Sequence, residues 1–153
     1  MRISMMRATV LFFLSITFTS LPILSYADLQ ITVSAESGYN TMDFTVSQSD
    51  RLVATVTEIC TTSGYTVILQ TANGTTTGLF KGANPNNSDT IVYDIKYNNT
   101  TVVMSGGAAT VTDSALPTTA PGVEKELEIS YSGSSSLAAD TYTDTLTLTI
   151  AAE

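Results

Sequence analysis

Apolar and polar residues alternate along most of this chain, and the alternation is cleanest near its end. Over residues 141–150, Tyr142, Leu146, Leu148 and Ile150 fall on one face and Thr143, Thr145, Thr147 and Thr149 on the other. A period of two with a single apolar face predicts a half-buried strand of an antiparallel sheet. Three residues follow Ile150, so the neighbour covering this strand is expected from elsewhere in the chain or from another molecule.

The same reading places the other elements. Leu29, Ile31, Val33 and Ala35 alternate with Gln30, Thr32 and Ser34, and after a loop over 36–40 a second short strand is expected at Met42, Phe44 and Val46. Residues 51–60 form a third, with Leu52, Ala54, Val56 and Cys60 on one side; Glu58 falls in the same set, which predicts that this end lies near solvent. Tyr65, Val67 and Leu69 point inward from a fourth, closed by the Asn73-Gly74 turn signal. Residues 75–89, rich in Thr, Gly and Asn, predict a loop pinned by Leu79 and Phe80. Ile91, Tyr93, Ile95 and Tyr97 then alternate, and Asn98-Asn99 turns the chain into a hairpin partner over 100–105. A weak strand over 108–112 and a bend over 117–121 precede a clean strand, in which Val123, Leu127, Ile129 and Tyr131 oppose Glu124, Glu126, Glu128 and Ser130. About eight short strands, frequent turn signals and no helical period indicate an all-β, immunoglobulin-like sandwich, with a barrel as the alternative.

The N-terminus follows a different pattern. Arg2 and Arg7 precede an apolar run over 8–24, and Ser25-Tyr26-Ala27 offers small residues where a signal peptidase reads, so residues 1–27 are expected to be a signal peptide cleaved before Asp28. An uncleaved membrane anchor is the alternative, at the short end of a spanning helix. Cleavage leaves one domain, 28–153, in which Arg51, Lys81, Lys96 and Lys125 face fourteen acidic residues for a net charge of −10. That balance argues against nucleic acid or anionic lipid as a partner. The lone Cys60 excludes an internal disulfide; it is either a buried small hydrophobe or a link to another chain.

Catalytic chemistry is not expected. Without histidine the chain lacks the usual base at neutral pH and the commonest transition-metal ligand, and Cys60 lacks a partner to activate it. The carboxylates of Glu124, Glu126 and Glu128 are spread along one strand face, where they discourage edge pairing rather than converge on an ion. Asp140 and Asp144 could share a calcium ion, but aspartate near a strand start is commonplace, so no metal or other cofactor is expected. Asn73-Gly-Thr75, Asn86-Asn-Ser88, Asn98-Asn-Thr100 and Asn99-Thr-Thr101 match the glycosylation sequon, a match that arises by chance in a chain rich in Thr and Asn.

Four stretches resemble the archaic chaperone–usher pilins, the group that includes spore-coat-protein-U-like fimbrial subunits. They are Met42-Asp-Phe44; Val56-Thr-Glu-Ile-Cys60 followed by Gly64-Tyr-Thr-Val-Ile-Leu69; Val92-Tyr-Asp-Ile-Lys-Tyr97; and the alternating stretch 141–150. The chain departs from the family's pattern in lacking a second cysteine upstream of Cys60, in a shorter N-terminal region and in Asp140 where the family has glycine. The resemblance implies an immunoglobulin-like domain lacking its last strand, completed by donor-strand complementation. It also implies export through the periplasm, a place in a cell-surface fimbria, and like or related subunits, a periplasmic chaperone and an outer-membrane usher as partners, with no small-molecule substrate. Leu29, Ile31, Val33 and Ala35 are then the expected donor strand, and Leu146, Leu148 and Ile150 the floor of the acceptor groove. Burying those three side chains is worth about 5–9 kcal/mol as an upper bound, comparable to the stability of a whole domain. The competing expectation is a self-complemented secreted immunoglobulin-like binding module, with Leu29–Ala35 folded back into its own groove.

Overall fold

Strands with one apolar face hide that face by stacking in layers, and this chain does so with two sheets. The computed structural model describes residues 15–16 and 29–153. Apart from Ser15 and Ile16, the expected signal peptide lies outside the described residues. One sheet has four strands in the order β1 (Ser15–Ile16), β11 (Leu146–Ala152), β4 (Tyr65–Thr71) and β8 (Ala108–Ser114). The other runs β10 (Tyr142–Thr143), β5 (Gly78–Gly82), β6 (Thr90–Tyr97), β9 (Thr118–Tyr131), β3 (Gln48–Cys60) and β2 (Leu29–Ala35), with β7 (Thr100–Thr101) also paired to β6. Every pairing is antiparallel except that of β1 with β11, which is parallel.

Most of the predicted inward faces are the buried ones, although Val46 and Val123 are exposed, Leu52 is half-buried and Val53, expected on the other face, is buried. Tyr65, Val67 and Leu69 of β4 and Leu146, Leu148 and Ile150 of β11 supply one wall; Ile91, Tyr93, Ile95 and Tyr97 of β6 with Leu127, Ile129 and Tyr131 of β9 supply the other. Cys60 is fully buried, its sulfur 3.7 Å from Ser63 Oγ, so it takes the small-hydrophobe alternative. Asn98 and Asn99 hold φ of 49° and 62°, the left-handed pair that a two-residue hairpin turn needs, although β7 extends only over Thr100–Thr101.

The structure corrects the sequence reading at five places. Met42 and Phe44 are buried, but not in a strand: the Asp43 carboxylate accepts from Thr45 N at 2.9 Å and Thr45 Oγ1 at 2.6 Å, and this local turn displaces a ladder. The expected loop over 75–89 contains strand β5, because Phe80 stacks on Tyr93 with centroids 4.3 Å apart and draws its neighbours into register with β6. The expected bend over 117–121 is largely the beginning of β9, which pairs with β3 as far as Thr118 opposite Cys60. Glu58 is fully buried instead of near solvent. Finally, the stretch 141–150 is two strands in different sheets, with Asp144 and Thr145 crossing between them.

Gly78 is the position where the aromatic wall leaves no room. A Cβ there would stand 2.1 Å from Tyr93 Cζ. Gly78→Ala is therefore expected to displace the Tyr93 ring and cost about 1–3 kcal/mol, read from the shift in urea unfolding at unchanged slope.

Candidate functional site at the edge of the terminal strand

β11 is held firmly on one side. Its seven residues pair with β4 from Leu146 opposite Thr71 to Ala152 opposite Tyr65. On its outer side, among the described residues, Ser15 pairs with Thr147 and Ile16 with Leu148, and nothing else pairs there. Wherever a strand edge lacks a partner, it presents a row of backbone donors and acceptors that another strand can satisfy.

The position of β11 is set by the corner that precedes it. Tyr142 and Thr143 pair with Gly82 and Lys81 in one sheet; two residues later the chain runs in the other, tied to the end of β4 by a 2.9 Å bond from Ala72 N to Thr145 O. Asp144, only 2% exposed, occupies the turn. Its Oδ2 accepts from Thr71 Oγ1 at 2.5 Å, Tyr93 OH at 2.8 Å and Leu79 N at 3.2 Å, while Oδ1 accepts from Thr145 N at 2.7 Å and Asn73 N at 3.2 Å. These donors come from both sheets, so the carboxylate joins the layers where the chain changes from one to the other. Burial pushes the Tyr93 phenol well above its ordinary pKa, and the Asp144 charge and hydrogen bond add to the effect.

A second buried carboxylate sits at the other end of β4. Glu58 Oε1 accepts from Tyr97 OH at 2.5 Å and Thr112 Oγ1 at 2.8 Å, and Oε2 from Tyr65 OH at 3.1 Å, with Lys125 Nζ 4.0 Å away. The Tyr97 phenol is raised by burial first and then by its bond to Glu58. Glu58 is in phase with Val56 and Cys60, but its charge predicted an end near solvent, and Asp144 was legible only as a carboxylate beside a turn. The partners that bury the two, distant in sequence, were not legible.

The expected donor and acceptor residues are brought together, but not as hydrogen-bonded neighbours. Leu146, Leu148 and Ile150 are buried on the inner face of β11. Leu29–Ala35 pairs instead with β3, from Leu29 opposite Cys60 to Ala35 opposite Ala54, and touches β11 across the gap between the layers. Ile31 is buried, Leu29 and Val33 are half-buried and Ala35 is exposed. The two stretches thus form opposite rims of the same side of the sandwich. Asp140 and Asp144 do not converge on one position. Asp140 is bonded to Asn87 Nδ2 at 2.8 Å, Thr141 N at 2.8 Å and Asn84 N at 3.1 Å, and these bonds, that of Asn87 foremost, hold its pKa below the usual value. Among the described residues no three His, Cys, Asp or Glu side chains group as a metal set.

Compared with protein-family models, curated proteins and solved structures, the chain matches none.

Asp144→Ala strands several buried donors and is expected to cost about 3–5 kcal/mol, a large share of the roughly 5–15 kcal/mol of a typical domain; chemical denaturation reads the loss. The raised Tyr93 and Tyr97 phenols set a pH dependence of definite sign. Their contribution is complete below the unfolded tyrosine pKa of about 10 and is lost as pH rises toward the folded values. Stability should therefore fall on the alkaline side of that value, with tyrosinate absorbance and loss of near-UV dichroism appearing together.

Proposed function

We propose that this protein is a secreted structural or adhesive subunit of an extracellular fimbria, assembled by adding a strand of one subunit to the outer edge of β11 in the next. The observation that carries this reading is the edge itself, which has a seven-residue partner on one side and, among the described residues, two paired residues on the other. Both of those, Ser15 and Ile16, fall within the expected signal peptide, so its removal frees the backbone groups they engage. An incoming strand satisfies such an edge with main-chain hydrogen bonds and reads alternate side chains for specificity.

The strand order supports an immunoglobulin-like reading. β2-β3-β9-β6 faces β11-β4-β8, the arrangement of an immunoglobulin-like sandwich whose last-strand position lies beside β11. On this reading residues 28–153 are the exported domain, and Leu146, Leu148 and Ile150 line the acceptor groove. The partners are like or related subunits, a periplasmic chaperone and an outer-membrane usher, as in the archaic chaperone–usher pilins that the sequence resembles. A chain without histidine and with a strong negative balance supports a structural role over catalysis or nucleic-acid binding.

Leu29, Ile31, Val33 and Ala35 remain the proposed donor residues, with one added requirement. To enter a neighbour's groove β2 must leave β3, so its own sheet and the neighbour's edge compete for one alternating strand. The seating of β2 on β3 is also what favours the second reading, a self-contained secreted binding module that needs no exchange.

Locking β2 in place separates the two. In a chain beginning at Asp28, Thr32→Cys with Thr57→Cys puts a disulfide between facing positions of β2 and β3. The reduced variant is expected to form polymers and the oxidised one to stay monomeric by size measurement. Equal polymer formation in both states removes Leu29–Ala35 as the donor, and a heat-resistant monomer in both states selects the binding module.

A further inference from the structure

Among the described residues, two pair with the outer edge of β11, and their register suits the groove. Ile16 stands opposite Leu148, the middle one of the three residues expected to form the acceptor floor, and Ser15 stands opposite Thr147. The register sets Ile16 opposite an apolar position of β11 and Ser15 opposite a threonine position; a slip of one residue would reverse this.

The sequence around Ile16 carries the same alternation independently. Leu14-Ser-Ile16-Thr-Phe18-Thr19 has the period of Leu146-Thr-Leu148-Thr-Ile150. A signal peptide requires only an apolar run, not hydroxyls at every second position, so export does not account for this pattern. The linkage is also long enough. Twelve residues separate Ile16 from Leu29, and at about 3.3 Å each they reach roughly 40 Å, more than the length of β11. A strand tethered to its own acceptor competes at an effective concentration on the order of millimolar, well ahead of a separate molecule in dilute solution.

We infer that the uncleaved chain caps its own acceptor edge: the strand containing Ser15 and Ile16 occupies β11 in cis, in parallel orientation, and loss of the N-terminal segment opens the edge to a strand from another molecule. This rests on the reading of β11 as an acceptor edge. Removal of the segment then has two consequences, release of the domain and exposure of its assembly surface, so that a chain still carrying its N-terminus is incompetent to accept a partner.

The pairing is tested in the full chain by Ser15→Cys with Thr147→Cys, against Ser15→Cys with Ala151→Cys as an out-of-register control. On mild oxidation the first pair is expected to form an intramolecular disulfide, identified by mass in a proteolytic digest, and the control is not. Capping is tested with a fluorescent peptide of residues 28–35, titrated into the full chain, the full chain bearing Ile16→Asp, and the chain beginning at Asp28. At least tenfold weaker binding by the unmodified full chain than by the other two supports the inference. Failure of the Ser15–Thr147 crosslink, or equal peptide binding by all three, overturns it; in the second case the peptide still docks and the acceptor reading survives. If the crosslink forms but the chain beginning at Asp28 does not bind the peptide, the acceptor reading fails and the cis pairing stands.

Discussion

A carboxylate removed from water has to be matched by donors, and the chain around Asp144 is arranged to meet that requirement. Its partners come from the end of β4, the turn after it, the start of β5, the middle of β6 and the first residue past the corner. No single sheet could supply them all. The position at which the terminal stretch leaves one layer for the other is therefore fixed, and with it the phase of every residue that follows. Leu146, Leu148 and Ile150 face inward because Asp144 is anchored where it is.

Glu58 does at the start of β4 what Asp144 does at its end. Tyr65 and Thr112 reach it from one sheet and Tyr97 from the other, as Thr71 and Tyr93 reach Asp144. In a chain whose one cysteine is free and buried, these two clusters tie the layers together at opposite ends of a common strand. Apolar contacts are non-directional and tolerate sliding, whereas a carboxylate with fixed hydrogen-bond partners does not. The clusters thereby select one alignment of the sheets from the several that a Val-, Leu- and Ile-lined interface would accept.

That rigidity ends at one side of the sandwich. β2 and β11 form its two rims: among the described residues β2 pairs only with β3, and β11 pairs along its length with β4 but on its outer side only with Ser15 and Ile16. The alternating apolar residues of Leu29–Ala35 fit the face they cover now and suit a groove beside β11 equally well, because a strand's side-chain period is the same in either place. On the proposed reading, assembly by strand addition is a competition among strands of similar pattern for one edge, decided by tethering and by which segment is present.

Sequence alone determined the class of fold, most of the strands and the inward face of nearly all of them, because a period of two is a local property written in neighbouring residues. It marked Leu146, Leu148 and Ile150 as core, but read the charge of Glu58 as a sign of solvent and gave Asp144 no place in the core. Only the tertiary structure decided that Phe80 makes a strand of a Thr- and Gly-rich stretch, through a ring on Tyr93, and that Phe44 is buried from a turn. It likewise decided that residues 141–150 divide between two sheets and that Leu29–Ala35 lies on β3. Each of these outcomes rests on a partner far away in sequence, whose hydrogen bond or ring contact outweighs the local pattern, and alternation specifies a face without specifying the neighbour.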